Sequence, residues 1–345
     1  HDHRKRSGTE SGMQKPSPDA TPSANAASEA CTTNRTLTSV RSEYTFTLDD
    51  PCWLDHLRDE GFCVVKGVAN AEEVEVAKSL LWRDFEVAHG ARRNEPTSWG
   101  GMWVPSTGLM AHFSQSAGAW AVRGLPGVRA AFEGVWATRD LLVSMDSVIA
   151  WRPWQLDESW RPRTEGLHID QNPFLKPELD CVQGMLPLLD VTPSSGGLQV
   201  VPRSHSKEAR AHLQQHYHWG GDWCPLDDDD PMAAHALLLL ASAGDLILWD
   251  SRTVHGGVVG TGGGRGASAN AETESHLARL SVTVAMTPRR FASDVVQSLR
   301  RAGFEAGESF NHCPHEAGTS SGTIRRRLPR ACPRVELSES QRALL

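Results

Sequence analysis

The sequence predicts a mostly β protein with flanking helices, its core an antiparallel β-barrel or sandwich. Three observations carry this. From Leu141 onward the chain falls into short apolar runs separated by Pro and Gly, at 143–151, 166–170, 181–189, 197–202, 245–250 and 279–287, the texture of an all-β core. Ahead of them, one short β-type run and two helical stretches supply the flanks. With 345 residues, 39% of them hydrophobic and 22% charged, the chain has the balance of a globular protein able to bury a sizeable core.

Residues 1–42 are rich in Ser, Thr, Ala and Pro and nearly lack large apolar side chains. Such a segment cannot offset the entropy of ordering and is expected to be a disordered tail. His1 in place of Met suggests a trimmed start, and Arg4, Lys5 and Arg6 mixed with Asp2 and Glu10 make only a weak transit peptide. A cytoplasmic location is the default, with organellar targeting left open. Folding is expected over 43–290. Gly61-Phe62-Cys63-Val64-Val65-Lys66-Gly67 is a β-type run, and Asn70 with Glu73 forms a capping-box pattern opening an amphipathic helix to about Ala88. A loop with Trp99, Gly100, Gly101 and Trp103 leads to a second helix near Val128 to Trp136. Ser194-Ser195-Gly196-Gly197 supplies a turn between strands, where Gly tolerates positive φ. Residues 291–301 look helical, and the remainder of 291–345 is an irregular, Arg-containing extension.

Composition excludes several functions. Thirty-five Lys plus Arg against 42 Asp plus Glu gives a net charge of −7, so no basic field favours nucleic acid. The longest apolar run, around Ala236 to Ala241, falls far short of the ~20 residues of a membrane helix. Seven cysteines without a C-x-x-C pair argue against a disulfide framework or a structural zinc site and for a reducing compartment. Asp227 to Asp230 lacks the pattern of a calcium loop and reads as solvated. Gly260 to Gly266, continuing through Glu274, lacks phosphate-loop spacing and reads as a flexible insertion. Arg325 to Arg327 reads as a solvated tail.

The residues that carry chemistry are His168-Ile169-Asp170, His255 placed 87 positions later, and Arg279-Leu280-Ser281 a further 24 on. On a strand, His168 and Asp170 project to one face while Ile169 packs behind. A second His from a distant strand would complete two His and one carboxylate, the facial triad that leaves positions open on Fe(II). The competing reading of His168 and Asp170 is a hydrogen-bonded pair without metal. His205, His212, His216 and His218 lie in a polar segment and read as solvated. Across 279–287 one face carries Arg279, Ser281, Thr283 and Ala285, the other Leu280, Val282, Val284 and Met286. A guanidinium turned into a barrel costs several kcal/mol unless an anion faces it, so Arg279 needs either a protein acid or a bound carboxylate.

These motifs, with Gly61–Val65, Gly196-Gly197-Leu198-Gln199-Val200-Val201-Pro202-Arg203-Ser204-His205 and Gly244-Asp245-Leu246-Ile247-Leu248-Trp249, resemble the phytanoyl-CoA dioxygenase family of Fe(II)/2-oxoglutarate-dependent oxygenases over roughly residues 58–288. The resemblance implies an oxygenase domain at 43–290 with a double-stranded β-helix (jelly-roll) core at about 141–288. It further implies His168, Asp170 and His255 as iron ligands, Arg279 holding the distal carboxylate of 2-oxoglutarate, and Ser281 assisting. Gln183 and Met185 fall where the family lines the cosubstrate pocket, and His205, although in a matching turn motif, is not carried over as a ligand. The family's Arg usually follows the distal His by about a dozen residues; here the 260–276 insertion lengthens the gap, with Arg265 as the fallback. Gln171 and Asn172 are placed to touch substrate or to form an Asn-Pro turn. The aromatic stretch from Trp151 through Trp154 to Trp160 lines a pocket or packs as a loop. The expected activity is hydroxylation of a small organic molecule with molecular oxygen and decarboxylation of 2-oxoglutarate to succinate. Alternatives are a cupin-like metal-dependent hydrolase or isomerase, or a non-catalytic binding protein on the same fold. The primary substrate and oligomeric state are not encoded in any motif found.

Overall fold

Alternation along the strands sorts the molecule into a helix-covered core on one side of a sheet and a cavity on the other. The computed structural model describes residues 41, 43–100, 103, 107–262, 277–316 and 332–345. The expected tail, apart from residue 41, lies outside these residues, as do 263–276 of the insertion, Arg265, and Arg325 to Arg327.

The elements run β1 (Thr45–Phe46), α1 (Cys52–Glu60), β2 (Phe62–Val65), α2 (Ala71–His89), β3 (Leu109–Met110), α3 (Ala117–Arg123), α4 (Pro126–Trp136), β4 (Leu141–Val143) and β5 (Val148–Trp151). They continue as β6 (His168–Ile169), β7 (Val182–Pro187), β8 (Gly196–Val200), α5 (Lys207–His216), β9 (Cys224–Pro225), β10 (Leu237–Leu238) and β11 (Leu246–Asp250). The last are β12 (His255–Val259), β13 (Arg279–Thr283), β14 (Met286–Pro288), α6 (Asp294–Ala306) and α7 (Glu339–Arg342). A seven-stranded sheet has the order β1-β2-β11-β7-β13-β5-β3, a five-stranded sheet the order β10-β8-β12-β6-β9, and β14 pairs with β4. The pairings are antiparallel except β1 with β2.

Period-2 geometry sends Val148 and Ala150 of β5, Val182 and Leu186 of β7, Leu246 and Leu248 of β11, and Leu280 and Val282 of β13 into one hydrophobic core. Trp53, Leu81, Phe85, Trp120 and Phe132 from the helices meet them there. Their in-between neighbours Ile149, Trp151, Gln183, Met185, Trp249, Arg279 and Thr283 turn the other way and line a cavity.

The capping box at α2 is present: Asn70 Oδ1 accepts from the Glu73 amide at 3.0 Å, and the Asn70 amide donates to Glu73 Oε2 at 2.8 Å. The sequence did not signal α3, a seven-residue helix containing Gly118. That glycine lets α3 cross close to α2, since a Cβ there would meet Leu81 Cγ at 2.4 Å. The predicted strand 143–151 is two strands, and so is 279–287. Both breaks face each other: Ser144 N donates to Ala285 O at 2.8 Å and Ala285 N donates to Ser144 Oγ at 2.9 Å. The chain leaves the seven-stranded sheet there to form the β4–β14 pair, so Ala285 does not continue the face of Arg279. The C-terminal helix starts later than predicted, at Asp294, where Ser293 caps it.

Asp227 to Asp230 is not uniformly solvated. The Asp230 side chain is 3% exposed and accepts from Tyr217 Oη at 2.6 Å, Met232 N at 2.8 Å and His212 Nε2 at 2.9 Å. His212 is therefore a structural partner rather than a free surface histidine.

Candidate active site

His168 and His255 are register partners across the β6–β12 ladder, which places both imidazoles on one face. Their ring centroids lie 4.6 Å apart. Close approach of the two strands needs Gly256, where a Cβ would lie 2.0 Å from Gly166 O. Each ring is oriented the same way: His168 Nδ1 lies 3.0 Å from Gly166 O and His255 Nδ1 lies 2.8 Å from Thr253 O. A backbone carbonyl two residues upstream thus holds the Nδ1 proton and leaves Nε2 as the available lone pair.

Asp170 completes the group from just beyond β6, which ends at Ile169 rather than at residue 170. Its Oδ2 lies 3.2 Å from His255 Nε2, and its Oδ1 lies 3.8 Å from His168 Nε2. The three donor sets fall within 4.8 Å of one another, a spacing that a single metal ion would bridge. Burial opposes the Asp170 charge, but His312, His168 and His255 outweigh it and hold the carboxyl well below its ordinary range. Burial pushes His168 down to about 4, so its ring is neutral, as a metal ligand must be. Gln183 bonds to the carboxylate itself, its Nε2 donating to Asp170 Oδ2 at 2.9 Å. It therefore positions Asp170 while lining the cavity.

Arg279 pairs in register with Trp151 and turns into the same cavity. Its guanidinium lies 4.5 Å over the Trp151 ring and is 5% exposed as a residue. Burial lowers it to about 10, which leaves it charged at neutral pH. Among the described residues no carboxylate pairs with it; Met185 Sδ at 3.0 Å is its hydrogen-bond acceptor, and Nε is buried without a partner. Ser281, two positions along that face, also has a buried Oγ without a partner. A desolvated cation beside orphaned polar atoms is costly unless an anion docks there.

The cavity measures about 280 Å³. Besides these residues it is lined by Thr107, Leu109, Ile149, Leu198 and Trp249, and by Ser309 to His312 from beyond α6. His312 was missed by sequence reasoning: its Nδ1 lies 3.8 Å from Asp170 Oδ2. No motif marks it, because it sits in an irregular extension far from the triad in sequence. Gln171 and Asn172 are turn residues. Gln171 Nε2 donates to the carbonyls of Lys176 and Glu178, each at 2.8 Å, and Asn172 Oδ1 accepts from the amides of Phe174 and Leu175. Of the aromatic stretch, Trp151 faces the cavity, Trp154 is buried, and Trp160 takes the Arg152 guanidinium at 4.8 Å.

Residues 157–266, which span His168, Asp170, Gln183 and His255, match the family model described as phytanoyl-CoA dioxygenase (PhyH). The chain is 28% identical over 285 residues to Ava biosynthesis cluster protein O of Aspergillus versicolor, covering 76% of this chain and 86% of that protein. Among solved structures, it is similar to a hypothetical protein of Escherichia coli with a TM-score of 0.52 and 13% identity, covering 93% of this chain and 90% of that one. It is also similar to the epimerase SnoN, solved with Fe3+, alpha ketoglutarate and nogalamycin RO, at a TM-score of 0.44 and 17% identity, covering 69% of this chain and 84% of that one.

Proposed function

We propose that this chain is an Fe(II)/2-oxoglutarate-dependent dioxygenase that hydroxylates a small organic molecule, on two sheets that correspond to the major and minor sheets of a double-stranded β-helix. The observation that carries the proposal is one cavity holding both a His-Asp-His donor set and a buried guanidinium that has no carboxylate partner among the described residues. The family whose model matches uses Fe(II) and 2-oxoglutarate. A metal-dependent hydrolase would have no need of Arg279.

The residues fit that pair of ligands. His168 Nε2, His255 Nε2 and Asp170 would hold the iron, and Arg279 with Ser281 Oγ would receive the distal carboxylate of 2-oxoglutarate through a bidentate pair and one further hydrogen bond. When bound, iron and 2-oxoglutarate supply oxygen activation coupled to decarboxylation, giving succinate, carbon dioxide and an oxidised substrate. The protein's own part is placement. Gly166 O and Thr253 O fix the two imidazole tautomers, Gln183 fixes the carboxylate, and Trp151, Ile149 and Leu198 keep water from the cavity wall.

Anaerobic addition of Fe(II) and 2-oxoglutarate should give the weak visible charge-transfer band of a keto-acid chelate. Arg279→Met should weaken 2-oxoglutarate binding by roughly 2–4 kcal/mol, the loss of one charge-assisted pair, while Fe(II) affinity is retained. Unchanged 2-oxoglutarate affinity would place the anchor elsewhere. Succinate release stimulated by a small-molecule panel then identifies the substrate.

A further inference from the structure

A second group of metal-ligating side chains lies outside the triad. Asp180 precedes β7, and Cys313, His315 and Glu316 come from the short turn that follows the His312 segment; ligand atoms of all four fall within 4.8 Å of one another. Cys313 Sγ lies 3.5 Å from His315 Nδ1, and His315 Nε2 lies 3.3 Å from Asp180 Oδ2. The His315 side chain is 8% exposed, that of Glu316 11% and that of Asp180 31%. Glu316 also pairs with Lys176, which pairs at 2.7 Å with Asp222 as well. A thiol, an imidazole and two carboxylates whose ligand atoms converge within the reach of one ion are a donor set that a borderline cation takes.

We propose that Cys313, His315 and Asp180, with Glu316 as the fourth donor, bind a divalent ion of the zinc class. One sulfur, one nitrogen and carboxylate oxygens suit a borderline ion with tetrahedral preference rather than calcium or magnesium, which take oxygen alone. Binding displaces the Cys313 proton to solvent, and Glu316 turns from Lys176, whose ammonium stays paired with Asp222. The sequence offers no C-x-x-C signal because the donors are a local Cys-x-His-Glu cluster and one acid brought in from 133 positions upstream. The consequence is structural: the ion would staple the segment carrying His312 to the start of the strand carrying Gln183.

Cobalt(II) distinguishes the two sites, because only a thiolate ligand gives an intense near-ultraviolet sulfur-to-cobalt charge-transfer band. The test uses metal-free full-length protein with Cys31→Ser and Cys52→Ser, the second removing the exposed thiol. Titration with Co(II) should give this band at one equivalent per chain. The band should persist in His168→Ala/His255→Ala, vanish in Cys313→Ala, and require at least tenfold more Co(II) in His315→Ala, with Zn(II) bleaching it in every protein that shows it. Absence of the band from folded parent protein overturns the proposal, and so does its persistence in folded Cys313→Ala. If Cys313→Ala does not fold, the His315→Ala titration decides, an unchanged midpoint overturning the site.

Discussion

At the scale of single residues, the chemistry rests on how few contacts fix each donor. Asp170 stands just outside its strand, so the ladder does not hold it; the Gln183 amide does. Gln183→Leu should therefore lower Fe(II) affinity about 10–100-fold, the usual effect of losing a hydrogen bond to a ligand. Anaerobic Fe(II) titration checks it, and an unchanged affinity would mean that the two imidazoles alone orient the carboxylate. On the proposed reading, in which Asp170 holds the metal, it also sets the reaction outcome. Halogenating relatives of this chemistry put a small residue at that position so that chloride can take the vacated place on the metal. A carboxylate and chloride are both anionic and compete for one position, so turnover in high chloride under labelled oxygen should give hydroxylated product carrying the label. A chlorinated product from the unmutated protein would overturn the hydroxylase reading. That His168 and His255 meet on one face was legible from residue type and strand position; Asp170 joins them as the sequence spacing suggests, although it stands past the end of the strand and parity alone does not place it. Arg279 was legible because a cation on an inward face demands an anion. His312 was not, since nothing in its local sequence distinguishes it from an ordinary loop histidine.

Among elements, the sequence reading succeeded where local signals agree and failed where tertiary contacts decide. The Asn70–Glu73 box and the β11 run Leu246 to Asp250 are set by their own residues. The breaks inside 143–151 and 279–287 are set by Ser144 and Ala285 meeting across 141 positions, which no local pattern encodes. The acidic run after β9 shows the same limit. Four consecutive aspartates look solvated, yet Asp230 is claimed by Tyr217 and His212 across the end of α5. Burial works against its charge, but hydrogen bonds from Tyr217, His212 and the Met232 amide prevail and lower its carboxyl below the ordinary value. A carboxyl lowered on folding stabilises the protein above its unfolded pKa, about 4, and that contribution is lost as pH falls through the folded value. Asp230→Asn should therefore cost stability at pH 7 and much less at pH 2–3. Urea midpoints of both proteins across that range check the sign, and a penalty that does not shrink in acid would show that the carboxylate charge is not what stabilises this loop.

For the whole molecule, the cavity is a property of the assembled chain rather than of the motif-bearing half. Its wall comes from Thr107 to Ala111, from the strands between Ile149 and Arg279, and from Ser309 to His312. The last of these is held in place by groups outside the cavity lining. Phe310 N donates to Met145 O at 2.8 Å, and the buried Arg300 of α6 donates to Val143 O at 2.5 Å and to the carbonyls of Pro314 and Leu344, each at 3.3 Å. Removing the chain after Gly307 would leave that desolvated guanidinium short of its tail acceptors, at about 1–3 kcal/mol for each lost partner, and would open the cavity to water. The truncated protein should lose several kcal/mol of stability and turn over no substrate, which by itself separates nothing. His312→Ala is the informative change, because among the described residues the His312 side chain bonds to no backbone group, and it is still 18% exposed. It should leave the urea midpoint and the 2-oxoglutarate affinity nearly unchanged, within about threefold for the latter. Substrate-stimulated succinate release should nevertheless fall at least tenfold, since the cavity wall beside Asp170 has lost its imidazole. Equal losses in 2-oxoglutarate affinity and in turnover would instead assign His312 to holding the cosubstrate, and no loss in either would make this part of the wall inert.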